Sequence, residues 1–247
     1  MTRARRRMRR AVRHLRRHAR LPLVAAAAVV VIAVVAVVTA GYDAPRDVRA
    51  AVASPATATG RPVAVIGDSI SEGTPYGGKG AANWAQRVGA ERQWTVTNTA
   101  VGGTGYVNPG SAGPFEATQL ERVVAARPQL VVVEGSRNDI GLPVEAVRAA
   151  ASHLYGELRT RLPGARIVVV GPFWDEKTSQ KAYAWRDALA GAARAAGADF
   201  VDPMAERCFA GAYDGGPLIG PDRVHPTDAG HARYAERLRA ALDRLGV

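Results

Sequence analysis

Several things are scarce in this sequence, and each scarcity excludes a class of answer. There is one cysteine, Cys208, in 247 residues. No disulfide can form within the chain, so the globular part must be held by its apolar core. A lone thiol with no neighbouring base reads as a buried apolar residue, not a nucleophile. There are five histidines, and the single cysteine leaves no Cys-His ligand set around His225, which disfavours a metal centre. Glycines cluster at 102–105 without a following Lys-Ser/Thr pair, so a phosphate-binding loop is not indicated. No internal repeat is present.

Charge is absent where it is most telling. Residues 1–20 carry ten arginines and no acid, and residues 21–40 carry no charge at all. Twenty apolar residues suffice to cross a bilayer. Arginines ahead of the span place the N-terminus in the cytoplasm and the remainder outside. The expectation is a basic cytoplasmic tail (1–20), a transmembrane signal anchor (21–40), a flexible Ala/Pro/Thr-rich linker (41–61) and an exported domain (62–247). The alternative is a cleaved signal peptide ending at Val38-Thr39-Ala40, although such apolar cores usually run about 7–15 residues. The net charge of +11 belongs mostly to the tail, since 23 Lys+Arg stand against 22 Asp+Glu in the rest. The globular part therefore has no nucleic-acid footprint. The partners expected are the membrane, through 21–40, and a small-molecule, glycan or lipid substrate.

After Pro62 the pattern becomes regular. Short apolar runs at 63–66, 95–101, 130–133, 166–170 and 198–201 read as buried strands. Helical stretches at 143–162, 179–196 and 227–245 alternate with them. The first aligns Val144, Val147, Ala151, Leu154 and Leu158, and the last Tyr234, Leu238, Ala241, Leu242 and Leu245. This alternation predicts one α/β domain, three layers with a roughly five-stranded parallel, flavodoxin-like sheet. Ligands in such folds bind at the carboxyl ends of strands. The segments following the strands are Gly67-Asp68-Ser69, Gly102 to Tyr106, Glu134 to Asp139, Gly171 to Trp174 and, before the last helix, Asp222 to His225.

These segments carry the residues for nucleophilic catalysis. A serine at a strand end can be activated by a base; Ser69 fits, with Ser71 the neighbouring alternative and helix capping the simpler role. His14 and His18 lie in the tail, His153 has no acid beside it in sequence, and His231 reads as structural. His225 remains, with Asp222 three residues earlier to fix its tautomer. An oxyanion would need donors: the Ser69 N–H, a glycine N–H from Gly103 or Gly102, and the Asn138 amide. Asp68 and Asp139 read as turn residues. Phe173 and Trp174 are candidates to line a substrate pocket, with packing under a loop the alternative. The segments 76–82 and 209–221 are candidates for the rim.

In these blocks the sequence resembles the SGNH hydrolase superfamily of GDSL-type esterases and lipases. Gly67-Asp68-Ser69-Ile70 matches the first block, with Ile for the usual Leu. Asn98 to Gly103 resembles the second, and Asp222-Arg223-Val224-His225-Pro226 matches the last. In the third block Ser136 stands where the family has glycine, with Gly135 one residue earlier; Asn138 and Asp139 are intact. The resemblance implies a three-layer α/β/α fold and metal-free, cofactor-free hydrolysis of acyl esters, acetyl esters among them. It also admits acyl transfer to an envelope glycan or lipid, and a catalytically inactive envelope-binding module.

Overall fold

A strand buried on both faces must be apolar at nearly every position; the runs at 63–66, 130–133 and 167–170 obey that rule, whereas 94–98 alternates half-buried and exposed positions. In the computed structural model, which describes residues 60–173, 180–210 and 217–247, the five runs become β1 (Arg61–Ile66), β2 (Trp94–Asn98), β3 (Leu130–Glu134), β4 (Arg166–Val170) and β5 (Asp199–Val201). All neighbours pair in parallel, in the order β2-β1-β3-β4-β5. This is the flavodoxin-like order. Register sets Val63 of β1 beside Val96 of β2 and Leu130 of β3. The segments expected at 1–20 and 21–40, and the linker expected at 41–61 up to residue 59, lie outside the described residues; Arg61 already belongs to β1. Among the described residues no helix is long and apolar enough to cross a membrane.

Alternate side chains leave a strand on opposite faces, so the sheet divides the core in two. Ala64, Ile66, Val131, Val133, Ile167 and Val169 point into one half. Val63, Val65, Leu130, Val132, Val168 and Val170 point into the other. Among the described residues six helices flank the sheet: α1 (Ser69–Glu72), α2 (Trp84–Glu91), α3 (Phe115–Ala126), α4 (Val144–Arg161), α5 (Gln180–Ala195) and α6 (Asp228–Arg244). The first half-core is closed by α3, α4 and α5 through Phe115, Val123, Leu154, Leu158 and Leu189. The second is closed by α2 and α6 through Trp84, Val88, Tyr234, Leu238 and Leu242. Each such buried side chain contributes about 1.5–3 kcal/mol. Cys208 is fully buried in the second half-core, and burial pushes its thiol up to about 12.

The long helices fall where the periodicity put them. Val144 and Leu245, at the ends, are only partly buried. Two departures matter for the site. The second strand stops at Asn98 instead of 101. There the Asn98 side chain turns in to donate to the Ser71 carbonyl (2.6 Å) and accept from Ala100 N–H (3.1 Å). Three shorter helices, α1, α2 and α3, also stand between the early strands, two of them bearing directly on the Ser69 segment.

Candidate active site

Gly67 and Asp68 turn the chain from β1 into α1, and Ser69 is the first residue of that helix. The turn is clamped from α3: the Gln119 amide accepts from Gly67 N–H and donates to Gly67 C=O, each at 2.9 Å. A Cβ at Gly67 would lie 2.6 Å from the Ser71 side chain, so only glycine fits. Asp68 is buried and caps α1, accepting from Ile70 N–H at 2.9 Å through Oδ1. Burial raises its carboxyl to about 6; hydrogen bonds from Ile70, Ser136 and Arg137 and the charge of His225 act against that.

His225 arrives from the other end of the chain. Asp222 Oδ1 accepts from the Val224 and His225 N–H groups at 3.0 and 3.1 Å, folding the segment into a tight turn. Asp222 Oδ2 lies 2.5 Å from His225 Nδ1, and His225 Nε2 lies 2.8 Å from Ser69 Oγ, across 156 positions of sequence. Partial burial by itself would raise the Asp222 carboxyl. The His225 ring and the two N–H donors outweigh it and hold the carboxyl below its ordinary range. The turn is fixed by Gly220 N–H to His225 C=O (2.8 Å) and Thr227 N–H to Leu218 C=O (3.0 Å). Thr227 then caps α6.

Ser71, the neighbouring alternative, is fully buried. Its hydroxyl donates to Glu134 Oε2 at 2.7 Å and accepts from Trp84 Nε1 at 3.2 Å. It braces α1 and does not face the imidazole. Of the other histidines, His231 is buried, with Nδ1 accepting from Trp84 N–H at 3.3 Å, and burial pushes it down to about 4. His153 is on the surface, 3.6 Å from Glu116.

The donors expected around an oxyanion lie on adjoining segments, Asn138 bonding the residue after Gly103 and approaching the residue before Ser69. Gly103 takes a φ of +76°, which favours glycine. Among the described residues neither its N–H nor that of Ser69 has an acceptor. Gly102 differs, because its N–H is taken by Glu72 Oε2 at 2.9 Å. Asn138 sits in a 3₁₀ turn over Arg137–Asp139. Its side-chain amide donates to Thr104 C=O at 2.9 Å and approaches Asp68 Oδ2 at 3.4 Å. One amide hydrogen is thus committed and the other weakly held. Asp139 is a scaffold, accepting from Tyr106, Val107 and Asn108 N–H at 2.7, 3.0 and 2.8 Å. Burial raises its carboxyl and those three bonds oppose the rise.

The odd serine of the third block has a structural reason. Ser136 Oγ lies 3.1 Å from both Asp68 Oδ2 and Thr104 C=O and accepts from Asn138 N–H at 3.0 Å. It joins the Ser69 turn, the Gly103 loop and the Asn138 turn. The glycine conformation is supplied one residue earlier by Gly135, at φ +115°. Phe173 needs correction: it is 1% exposed, packed on Phe209 and Tyr234, so its ring fills the core under the site and does not line a pocket. Trp174 lies outside the described residues. Sequence reasoning missed Gln119, Glu134 and Ser136 as supports, since each acts through contacts more than fifty positions away.

Comparison with known proteins shows the family and the fold. The family of GDSL-like lipases and acylhydrolases matches residues 65–233. A GDSL lipase of Mycobacterium tuberculosis is 39% identical over 186 residues, covering 72% of this chain and 79% of that protein. Among solved structures, TesA superposes with a TM-score of 0.60 at 20% identity, over 75% of this chain and 99% of that one. A family two carbohydrate esterase from Clostridium thermocellum, solved with cellohexaose, superposes with a TM-score of 0.58 at 22% identity, over 75% of this chain and 65% of that one. The chain belongs to the GDSL-like lipase/acylhydrolase family, and with it to the carboxylic-ester hydrolases.

Proposed function

We propose that the protein is an exported, membrane-anchored serine esterase acting on acyl esters. The observation that carries this reading is the 2.8 Å contact between Ser69 Oγ and His225 Nε2, with Asp222 on the far side of the ring. In this mechanism His225 takes the Ser69 proton as the hydroxyl attacks the ester carbonyl. Asp222 keeps the proton on Nδ1 and stabilises the imidazolium. The negative oxygen of the tetrahedral intermediate is met by the N–H groups of Ser69 and Gly103 and by the Asn138 amide. The imidazolium then protonates the departing alcohol, and water repeats the cycle on the acyl-serine.

Export and anchoring rest on the arginine-rich residues 1–20 and the uncharged residues 21–40. That topology puts the site within reach of O-acylated envelope glycan, and the fold shared with a carbohydrate esterase fits such a substrate. The test is turnover of 4-nitrophenyl acetate by the full chain. Ser69→Ala is expected to lower kcat by at least about 10⁴. Asn138→Ala is expected to lower it by about 10²–10³, the scale of one oxyanion donor. Undiminished turnover by the serine variant would overturn the mechanism.

A further inference from the structure

Only two large aromatic side chains are exposed among the described residues, Tyr76 at 43% and Tyr183 at 36%. Tyr183 has a cover: the Arg186 guanidinium lies 4.8 Å over its ring. Tyr76 has a different setting. Its ring stands 6.4 Å from the His225 ring, centre to centre, and tilted from it by 19°. An open aromatic face beside the general base is an unusual use of surface, since exposed apolar area carries no folding benefit.

The ring is also held in place. Thr74 and Gly77 exchange main-chain hydrogen bonds at 2.8 and 3.2 Å, closing the loop that carries Tyr76. Gly78 N–H donates to Asp228 Oδ1 at 2.8 Å, and Asn83 Nδ2 donates to Gly78 C=O at 3.0 Å. A Cβ on Gly77 would lie 2.4 Å from the Asp228 nitrogen, and one on Gly220 would lie 3.0 Å from Tyr76 Cγ. The loop is therefore seated on the start of α6, and the ring rests against the turn that presents His225. Both ends of this support belong to the segment carrying the base, so ring and imidazole keep a fixed relation.

Position then assigns the ring a role. In ester hydrolysis the acyl oxygen lies at the oxyanion donors, and the alcohol oxygen lies at the base that protonates it. Here the donors come from Ser69, Gly103 and Asn138, and the base is His225. We propose that Tyr76 is the platform for the alcohol half of the ester, and that it selects alcohols with a flat apolar ring face. A pyranose presenting its C–H face and an aryl ring share that chemistry, and both gain by stacking on a rigid aromatic side chain. The proposal rests on the serine-esterase reading, because it takes His225 as the group beside the leaving alcohol.

The test uses the full chain and three acetate esters that differ only in the alcohol: ethyl acetate, benzyl acetate and a methyl pyranoside acetylated at its primary hydroxyl. The readout is kcat/KM for each ring ester divided by that for ethyl acetate. Tyr76→Ala is expected to lower that preference about two- to twelvefold, through KM. Tyr76→Phe, which keeps the face, is expected to preserve it. A loss confined to the pyranoside identifies a sugar, a loss confined to the benzyl ester an aryl alcohol, and a loss in both the shared face; each supports the platform. An alanine variant that changes all three esters by the same factor, or none, overturns it. So does a change carried by kcat alone, which would mark Tyr76 as a support for His225. Full turnover by Ser69→Ala in the same assay identifies failure of the esterase reading instead, and the platform falls with it.

Discussion

At the scale of single residues, the site rests on three buried carboxyl groups, Asp68, Glu134 and Asp139, held by hydrogen bonds. Glu134 is the one of these with two hydroxyl neighbours. It ends β3, is 1% exposed, and faces the hydroxyls of Ser71 and Tyr234. Burial pushes its carboxyl well above the ordinary range, and the nearby Asp68 adds to the rise. The folded protein thus holds a proton on Glu134 at pH values where the unfolded chain has released it. By linkage, stability from this group is greatest below its unfolded pKa and falls as pH rises above about 4.5. Asp68, raised to about 6, acts in the same direction. His231, pushed down to about 4, acts in the opposite one. Glu134→Gln keeps the neutral shape and removes the titration. Its stability relative to the parent is expected to improve with pH between 5 and 7, by up to about 1.4 kcal/mol per pH unit. Urea unfolding of both proteins at several pH values checks this. Parallel curves would mean that Glu134 is ionised in the folded state.

At the scale of elements, the long helices and the strands were legible because their burial is continuous or strictly periodic. Leu130 to Val133 are buried at every position, and Val147, Ala151, Leu154 and Leu158 recur at helical spacing. The short helices were not legible for the same kind of reason. α2 is eight residues long and includes Gln86, Arg87 and Glu91, while α3 buries Gln119 on its inner face to clamp Gly67. A glutamine in a buried stripe weakens the apolar signal, and its partner lies 52 positions away. The motif blocks were readable because the first three follow strands and the last precedes the final helix. What ties them together, Ser136 to Asp68 and Ser71 to Glu134, is visible only in three dimensions. Asn83 shows what such a tie contributes. It caps α2 by accepting from Ala85 N–H at 2.9 Å, and its amide donates to Ser71 C=O (2.8 Å) and Gly78 C=O (3.0 Å). Asn83→Ala removes the cap and leaves two buried carbonyls without that donor. Chemical denaturation is expected to record a loss of about 2–4 kcal/mol. A loss under about 1 kcal/mol would show that α1 and the Tyr76 loop are held by other contacts.

At the scale of the whole molecule, the fold brings distant sequence to one edge of the sheet. β1 delivers Ser69, β3 delivers Asn138, the segment after β2 delivers Gly103, and the turn before α6 delivers Asp222 and His225. The strand order β2-β1-β3 places the first three segments side by side. The central claim is that Ser69 is the nucleophile and His225 its base. The most direct measurement is covalent: treat the full chain with a small phosphonate monoester bearing a 4-nitrophenol leaving group, and map the adduct by mass spectrometry. The account predicts one adduct, on Ser69, forming at least about 10³-fold more slowly in His225→Ala. An adduct on another residue, or labelling of Ser69 at an unchanged rate without His225, would contradict it.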